Sequence, residues 1–517
     1  MANRTLFRSL AGALIPKVDT RNEAGGPAYR LSPEQSLAQF AATGCLNTTF
    51  YASDLKQLED VLSVADRVSP EFVAKTAVFC RQRGYMKDMP ALLLAVLSRR
   101  EPTLMDRVFD RVVDSPRMLR TFVQIVRSGA TGRKSLGSAP KRCVQRWLDQ
   151  RTDAALFAAS VGNAPSLADV LKMVHPKPAT PEREALYGYL IGRSVDVERL
   201  APIVRAFEAY KAGDRGEVPD VPFQMLTALE LDRRAWRDIA RRASWQATRM
   251  NLNTFARHGV FEDRETVEII AARLRNEAEI RAARAFPYQL LAASRALNAG
   301  VPDEIRAALE DAMELALANV PGIEGQVYVC PDVSGSMRSA VTGVRKGATT
   351  AVRCVDVASL VSAAILRRNP TTEVMPFDER VVSLYLPRRD SVLTNADRLA
   401  AVGGGGTCVS APLALLNARR AIGNLVMIVS DNESWVDASA SRGTATMREW
   451  EVFRKRNPQA RLVLIDLQPY STTQASERPD ILNVGGFSDQ VFSILDDFTA
   501  GRLDGNHWVG QIEAVPI

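Results

Sequence analysis

The chain has no uninterrupted apolar run of about 18 residues, which excludes a transmembrane helix. Its mean hydropathy is −0.10. The amino terminus, MANRTLFRSLAGALIPKVDTR, has too short and broken an apolar stretch for a signal peptide, so the simplest expectation is a cytoplasmic protein with no membrane partner. Histidine is scarce: His175, His258 and His507 are the only three, and they are far apart. Chemistry built on a histidine cluster is therefore disfavoured. The six cysteines (Cys45, Cys80, Cys143, Cys330, Cys354, Cys408) form no CxxC pair, which excludes a zinc-finger spacing and gives no disulfide framework. They are expected to be small buried apolar residues.

What is present suits a large globular protein. Its 517 residues are enough for about three domains of about 150 residues each. Hydrophobic residues make up 46% and charged residues 24%, which rules out wholesale disorder. Charge is unevenly spread: residues 1–322 hold 46 Lys+Arg against 38 Asp+Glu, whereas residues 323–517 hold 20 against 21. A basic first part and a neutral second part suggest a polyanion partner for the first.

Periodicity divides the chain at the same place. From about Leu31 to Val320 it reads as successive amphipathic helices with short breaks. Ser32-Pro33, Ser69-Pro70 and Ser115-Pro116 each offer an N-cap hydroxyl followed by proline at the first helical position, and Ser32 with Gln35 fits a capping box. Many such helices without long loops favour an α-solenoid of degenerate helical pairs, with a compact bundle as the alternative. From Gly322 short apolar runs alternate with helices. QVYVCPDVSGSM (326–337), TEVMPF (372–377), VVSLYL (381–386), LVMIVSDNES (425–434) and ARLVLIDLQ (460–468) read as strands, and 354–368 as a helix. The expected fold class is α plus α/β, the second part being a mostly parallel, doubly wound sheet. The boundaries are 1–30 for an extension, 31–321 for the helical repeats and 322–517 for the α/β domain.

Ligand sites in such sheets lie at the carboxyl ends of strands. There the chain carries Asp332, Ser334 and Ser336 in a D-x-S-x-S cluster, Thr407 after the glycine run 403–406, and Asp431 after Ser430. Two carboxylates and three hydroxyls, without His or Cys, suit a hard divalent cation such as Mg²⁺. In this order and context they look like the metal-ion-dependent adhesion site of a von Willebrand factor A domain. Asp332 as a phosphoryl-accepting nucleophile is disfavoured, because no DxD carboxylate accompanies it.

In the first part, residues 111–146 hold nine Lys/Arg and one acid, Asp114. Leu119, Phe122, Val123 and Val126 follow core spacing, which turns Arg117, Arg120 and Arg127 outward. Arg133 and Lys134 lie in a glycine-rich loop, and Lys141, Arg142 and Arg146 line the outer side of the next helix. A second stripe comprises Arg234, Arg237 and Arg241, with Asp238 the only acid within 233–242 and Trp236, Ile239 and Ala240 expected to face inward. Solvated helix faces normally mix signs. Faces of one sign suggest phosphate-backbone contact, with little base specificity. His175, between Lys172 and Lys177, is by position a helix C-cap or core residue more readily than a ligand. Asn251 and Asn253 could read base edges or cap helices.

With FAATGCLNTTFYAS (40–53), DVLKMVHPKP (169–178) and CPDVSGSMRSAVTG (330–343), the chain resembles the Ro autoantigen family, the TROVE-domain proteins, in its bacterial form, from about residue 30 to the end. That resemblance implies a monomeric ring of HEAT-like helical repeats closed by the A domain. It also implies binding of small noncoding Y RNAs and of the single-stranded ends of misfolded or immature RNAs. Cooperation with an exoribonuclease such as polynucleotide phosphorylase in RNA maturation and decay follows from the same resemblance. Lys172, His175 and Lys177 match the family segment implicated in Y RNA contact. Some relatives carry basic residues shortly before it, where this chain has Ala158 and Gly162. The expectation is a non-catalytic RNA scaffold; the alternatives are a metal-dependent protein-binding scaffold without RNA, and an enzyme using Asp332.

Overall fold

The computed structural model describes residues 15–43, 46–214, 216–283, 287–316, 320, 322–343, 352–435, 443–486, 489–502 and 507–517. It separates into two compact units. One comprises residues 1–72, 286–292 and 317–516, the other 73–285 and 293–316. The sequence reading placed the boundary at 321/322. Residues 33–72, assigned there to the helical repeats, cluster in the structure with the α/β part.

The α/β unit is built on five parallel strands: β3 (Val327–Pro331), β4 (Thr372–Val374), β5 (Leu425–Ser430), β6 (Arg461–Asp466) and β8 (Ile481–Gly485), in the order β4-β3-β5-β6-β8. β3 and β5 are buried at every position, as continuous apolar runs covered on both faces should be. The helix expected at 354–368 spans Cys354–Arg368. Tyr328, Cys330, Phe377, Ile428, Trp450 and Phe453 are among the core side chains. A second, three-stranded sheet joins β1 (Thr20–Arg21), β2 (Pro27–Arg30) and β7 (Thr472–Thr473). Helices Pro33–Thr43 and Asp54–Arg67 belong to the same unit. Gln39 Nε2 donates to Asn483 O (2.9 Å) and Trp508 Nε1 to Ala38 O (3.0 Å), fastening the amino-terminal helix beside β8 and the last helix.

One expected strand is absent. Residues 381–386 make only a single bridge, Val381 with Phe377, and Tyr385 is 84% exposed. Leu384 and Leu386 pack against Leu366 and Leu399 instead, so the alternating pattern covers a helix pair rather than entering the sheet.

The helical unit shows the pairwise stacking of a solenoid. Asp88–Arg100 packs on Pro102–Val112 and on Pro116–Arg127, Pro102–Val112 on Ser138–Asp149, and Arg264–Leu274 on Asp303–Ala316. The Ser-Pro caps form as expected. Ser69 and Ser115 accept from Phe72 N (3.1 Å) and Met118 N (3.4 Å), while Ser32 and Gln35 exchange both capping-box bonds. Cys80, Cys143, Cys330, Cys354 and Cys408 are buried thiols in no disulfide; Cys45 lies outside the described residues. Among the described residues no helix is long and apolar enough to cross a membrane.

Candidate cation site and basic helical faces

At the carboxyl end of β3 the chain turns sharply, and Asp332 Oδ1 accepts Ser334 N (2.8 Å). Asp332 Oδ2 accepts the Ser430 hydroxyl from the end of β5 (2.6 Å), which locks the two strand ends together. The Ser334 and Ser336 hydroxyls lie 3.2 Å apart. Thr407 is brought in by the glycine run. Gly335 N donates to Gly405 O (2.9 Å), and Gly405 N and Gly406 N donate to Asp378 (3.2 Å) and Glu379 (3.2 Å). Glycine is required at 403: with φ +77°, a Cβ there would lie 2.5 Å from Val333 O. All five expected cation ligands, Asp332, Ser334, Ser336, Thr407 and Asp431, are buried.

Sequence reasoning missed the groups around them. Glu433 and Asp466, buried beside Asp431, add two carboxylates. Burial pushes Asp332 up to about 7, with Asp431 repelling it, and raises Asp431, Glu433 and Asp466 as well. Among the described residues no ion pair ties any of the four to Lys or Arg. A buried carboxylate without a counter-charge costs several kcal/mol. Among the described residues no group of three or more His, Cys, Asp or Glu is placed to hold a metal. A cation here would therefore lean on the hydroxyls, and a hard ion fits that donor set. Tyr51 and Tyr470 close the neighbourhood, their rings 6.2 Å apart; Thr49 Oγ1 and Tyr470 Oη are 2.9 Å apart. Burial raises both phenols, which stay protonated. No signal in the linear sequence ties residue 51 to residue 336.

On the helical unit, Pro116–Arg127 buries Leu119, Phe122, Val123 and Val126 and leaves Arg117 and Arg127 exposed, as the spacing requires. Arg120 is half-buried. Its Nη1 donates to Ala159 O (3.0 Å), and a Cβ on Gly162 (φ +111°) would sit 2.6 Å from its Nη2. Arg120, from helix Pro116–Arg127, thus fills the space beside Gly162. Lys134 and Arg142 are exposed, Lys141 is half-buried, and Arg133 Nη1 reaches Leu136 O at 3.5 Å. Arg146 pairs with Asp106 (2.6 Å) and Asp110 (3.2 Å) of the neighbouring helix. Helix Leu167–Val174 packs against both basic helices. It ends at His175, a left-handed C-cap (φ 48°) exposed to solvent between exposed Lys172 and Lys177. Gln145 Nε2, from Ser138–Asp149, holds Val174 O at 2.7 Å.

The second stripe is different. Trp236, Ile239 and Ala240 face inward as expected, and Arg234 is exposed. Arg241, however, pairs with Asp263 (2.8 Å) and Glu265 (2.7 Å), Arg237 approaches Asp263 at 4.0 Å, and Arg233 meets Glu262 at 2.5 Å. These acids lie more than twenty residues away in sequence and so escape a local charge count. Asn251 donates to Ala247 O (2.8 Å), and Asn253 holds Ala296 O (2.7 Å) and Asn298 N (3.0 Å), so both amides brace backbone.

Comparison with known proteins agrees with this architecture. Residues 326–499 match the Ro60 vWA domain. The chain is 25% identical to the RNA-binding protein RO60 of Deinococcus radiodurans, over 93% of this chain and 96% of that protein. It is 22% identical to the RNA-binding protein RO60 of Caenorhabditis elegans, over 47% of this chain and 38% of that one. The crystal structure of the Deinococcus radiodurans RO (RSR) protein superposes with a TM-score of 0.62 at 20% identity, covering 91% of this chain and all of that one. The resemblance to the Ro family therefore holds along nearly the whole chain.

Proposed function

We propose that this Ro-like chain is an RNA-binding protein whose helical unit holds RNA through its phosphate backbone and whose A domain binds a divalent cation. The observation that carries the RNA reading is the group of exposed cations Arg117, Arg127, Arg142 and Lys172, on helices that bury their opposite faces in the core, with exposed Lys134 and Lys177 in the segments that follow helices Pro116–Arg127 and Leu167–Val174. The two relatives' names, RNA-binding protein RO60, support it. In its finer form, the bound RNAs are small noncoding Y RNAs and the single-stranded ends of misfolded or immature RNAs. The protein then serves as a non-catalytic scaffold for an exoribonuclease such as polynucleotide phosphorylase. Arg120 and Arg146, already engaged with protein groups, add positive potential more than direct contacts. In the A domain, Asp332, Ser334, Ser336, Thr407 and Asp431 would hold Mg²⁺, which would neutralise the buried carboxylates and offer a positive centre to an acidic group.

The experiment is to purify the protein untreated from its own host and sequence the nucleic acid that co-elutes. A discrete small stem-loop RNA, released at high salt, is expected. An RNA-free protein that captures an acidic protein only with Mg²⁺ present would overturn the RNA reading in favour of a protein scaffold. Incubation of pure protein with RNA and Mg²⁺ is expected to leave the RNA intact, whereas hydrolysis abolished by Asp332→Ala would make it an enzyme.

A further inference from the structure

The glycine run that carries Thr407 has no side chains of its own to hold it. Residues 403–405 are exposed, and Gly403 and Gly404 adopt φ +77° and +119°, a region open mainly to glycine. Glycine loses more conformational freedom on ordering than any other residue. The folded chain grips the run from two sides. On one, Gly405 O accepts Gly335 N (2.9 Å), from between Ser334 and Ser336. On the other, the carboxylates of Asp378 and Glu379 accept Gly405 N (3.2 Å) and Gly406 N (3.2 Å), and Asp378 O accepts Cys408 N (2.9 Å). Asp378 is itself anchored beside the D-x-S-x-S turn: Val333 N donates to Phe377 O (2.8 Å), and Arg380 N to Asp378 Oδ1 (3.3 Å). Thr407 lies between the amides so held.

Thr407 is buried, its carbonyl accepts Trp435 N (3.2 Å), and among the described residues its hydroxyl makes no hydrogen bond. The oxygen lone pairs are left for a cation. Where that oxygen stands depends on the backbone that carries it. Among the described residues, Asp378 and Glu379 supply the only side-chain acceptors for the amides of 405–407. A metal ligand contributes fully only when its partners hold it in place beforehand. We propose that Asp378, assisted by Glu379, is a positioning residue of the candidate cation site, holding the backbone of 405–408 so that the Thr407 hydroxyl is set to coordinate the ion. Both carboxylates act through the amides they hold. This rests on the cation reading above and is independent of whether the helical unit binds RNA.

The test is Tb³⁺ binding by the full chain, read by luminescence titration, with circular dichroism to check folding. Asp378→Ala is expected to weaken Tb³⁺ binding about tenfold, the lower end of what losing an outer partner of a metal ligand costs. Asp378→Asn, which keeps an amide oxygen for Gly405 N without the charge, is expected to stay within about threefold of wild type. In a Thr407→Ala background, Asp378→Ala is expected to lower affinity by less than about twofold further, because the side chain it acts through is already gone. An Asp378→Asn as weak as Asp378→Ala would make the effect one of charge at a distance and overturn the proposal. Wild-type affinity in Asp378→Ala would overturn it too, as would an undiminished loss in the Thr407→Ala background, the mark of general loosening. Should Asp378→Ala not fold, exposed Glu379 decides by the same cycle. Glu379→Ala is expected to weaken binding about threefold alone and not at all with Thr407→Ala, and equal losses in both overturn the proposal. No saturable Tb³⁺ binding by wild type overturns the cation site and this role together.

Discussion

Two arginine-rich segments of the helical unit look alike in sequence and differ in the folded chain. In 116–146, Arg117, Arg127, Lys134 and Arg142 stand exposed, and among the described residues only Arg146 is paired with acids, from helix Pro102–Val112. In 233–242, Glu262, Asp263 and Glu265 fold back onto Arg233, Arg237 and Arg241. A local excess of positive charge is therefore a ligand surface only if no acid is folded against it. Exposed ion pairs add little stability, but they occupy the guanidinium groups that a phosphate would need.

The sharpest way to break this distinction is to remove the open face. Arg117→Ala, Arg127→Ala and Arg142→Ala combined should lower RNA affinity at least about tenfold at physiological salt. The slope of log affinity against log salt should become shallower by about one unit per lost contact. An unchanged slope in a salt titration would show that these side chains never meet phosphate.

Next in size is Gly162→Ala. It places a methyl group against Arg120 in a backbone conformation that L-residues rarely adopt, and should destabilise the protein by about 1–2 kcal/mol in denaturant unfolding. Adding Arg120→Ala should recover the part due to crowding and leave the part due to backbone strain. A double variant no more stable than Gly162→Ala alone would mean that Arg120 moves aside freely.

Arg241→Ala should act in the opposite sense to the open-face variant: a melting temperature lower by about 2 °C, with an unaltered salt slope for RNA. A shallower slope would place the second stripe on the RNA as well. The smallest effect is in acid. Hydrogen bonds from Thr266 and Arg241 hold the Asp263 carboxyl down at about 2, below its ordinary range. A depressed folded value contributes stability above the unfolded value near 3.9 that is lost as pH falls toward 2. Acid unfolding of Arg241→Ala should therefore show a smaller change between pH 4 and 2 than wild type, and equal changes would deny the pair any role.

Much of this was legible before folding. The proline-marked helix starts, the inward faces of 116–127 and 233–242, and the run of β3 into Asp332 depend on neighbours within four or five residues. The convergence of the five candidate ligand residues was also legible, since each sits at a strand or loop end marked by its own composition. The 381–386 run misled because alternation fits any half-covered extended segment; the paired position was taken by 372–374, and 384 and 386 had a helix pair to cover. β1, β2, β7 and β8 escaped notice because the first three are only two to four residues long and Asn483 and Gly485 interrupt the apolar pattern of the last.

Periodicity, capping chemistry and the order of oxygen-bearing residues specified two kinds of architecture and a hard-cation motif, because these are local properties of the chain. Which charges remain available was decided only when distant segments met. Glu433 and Asp466 came to rest beside Asp431, Tyr51 beside Ser336, and Asp263 beside Arg241. Electrostatic interaction depends on distance through space and on burial, and sequence separation measures neither.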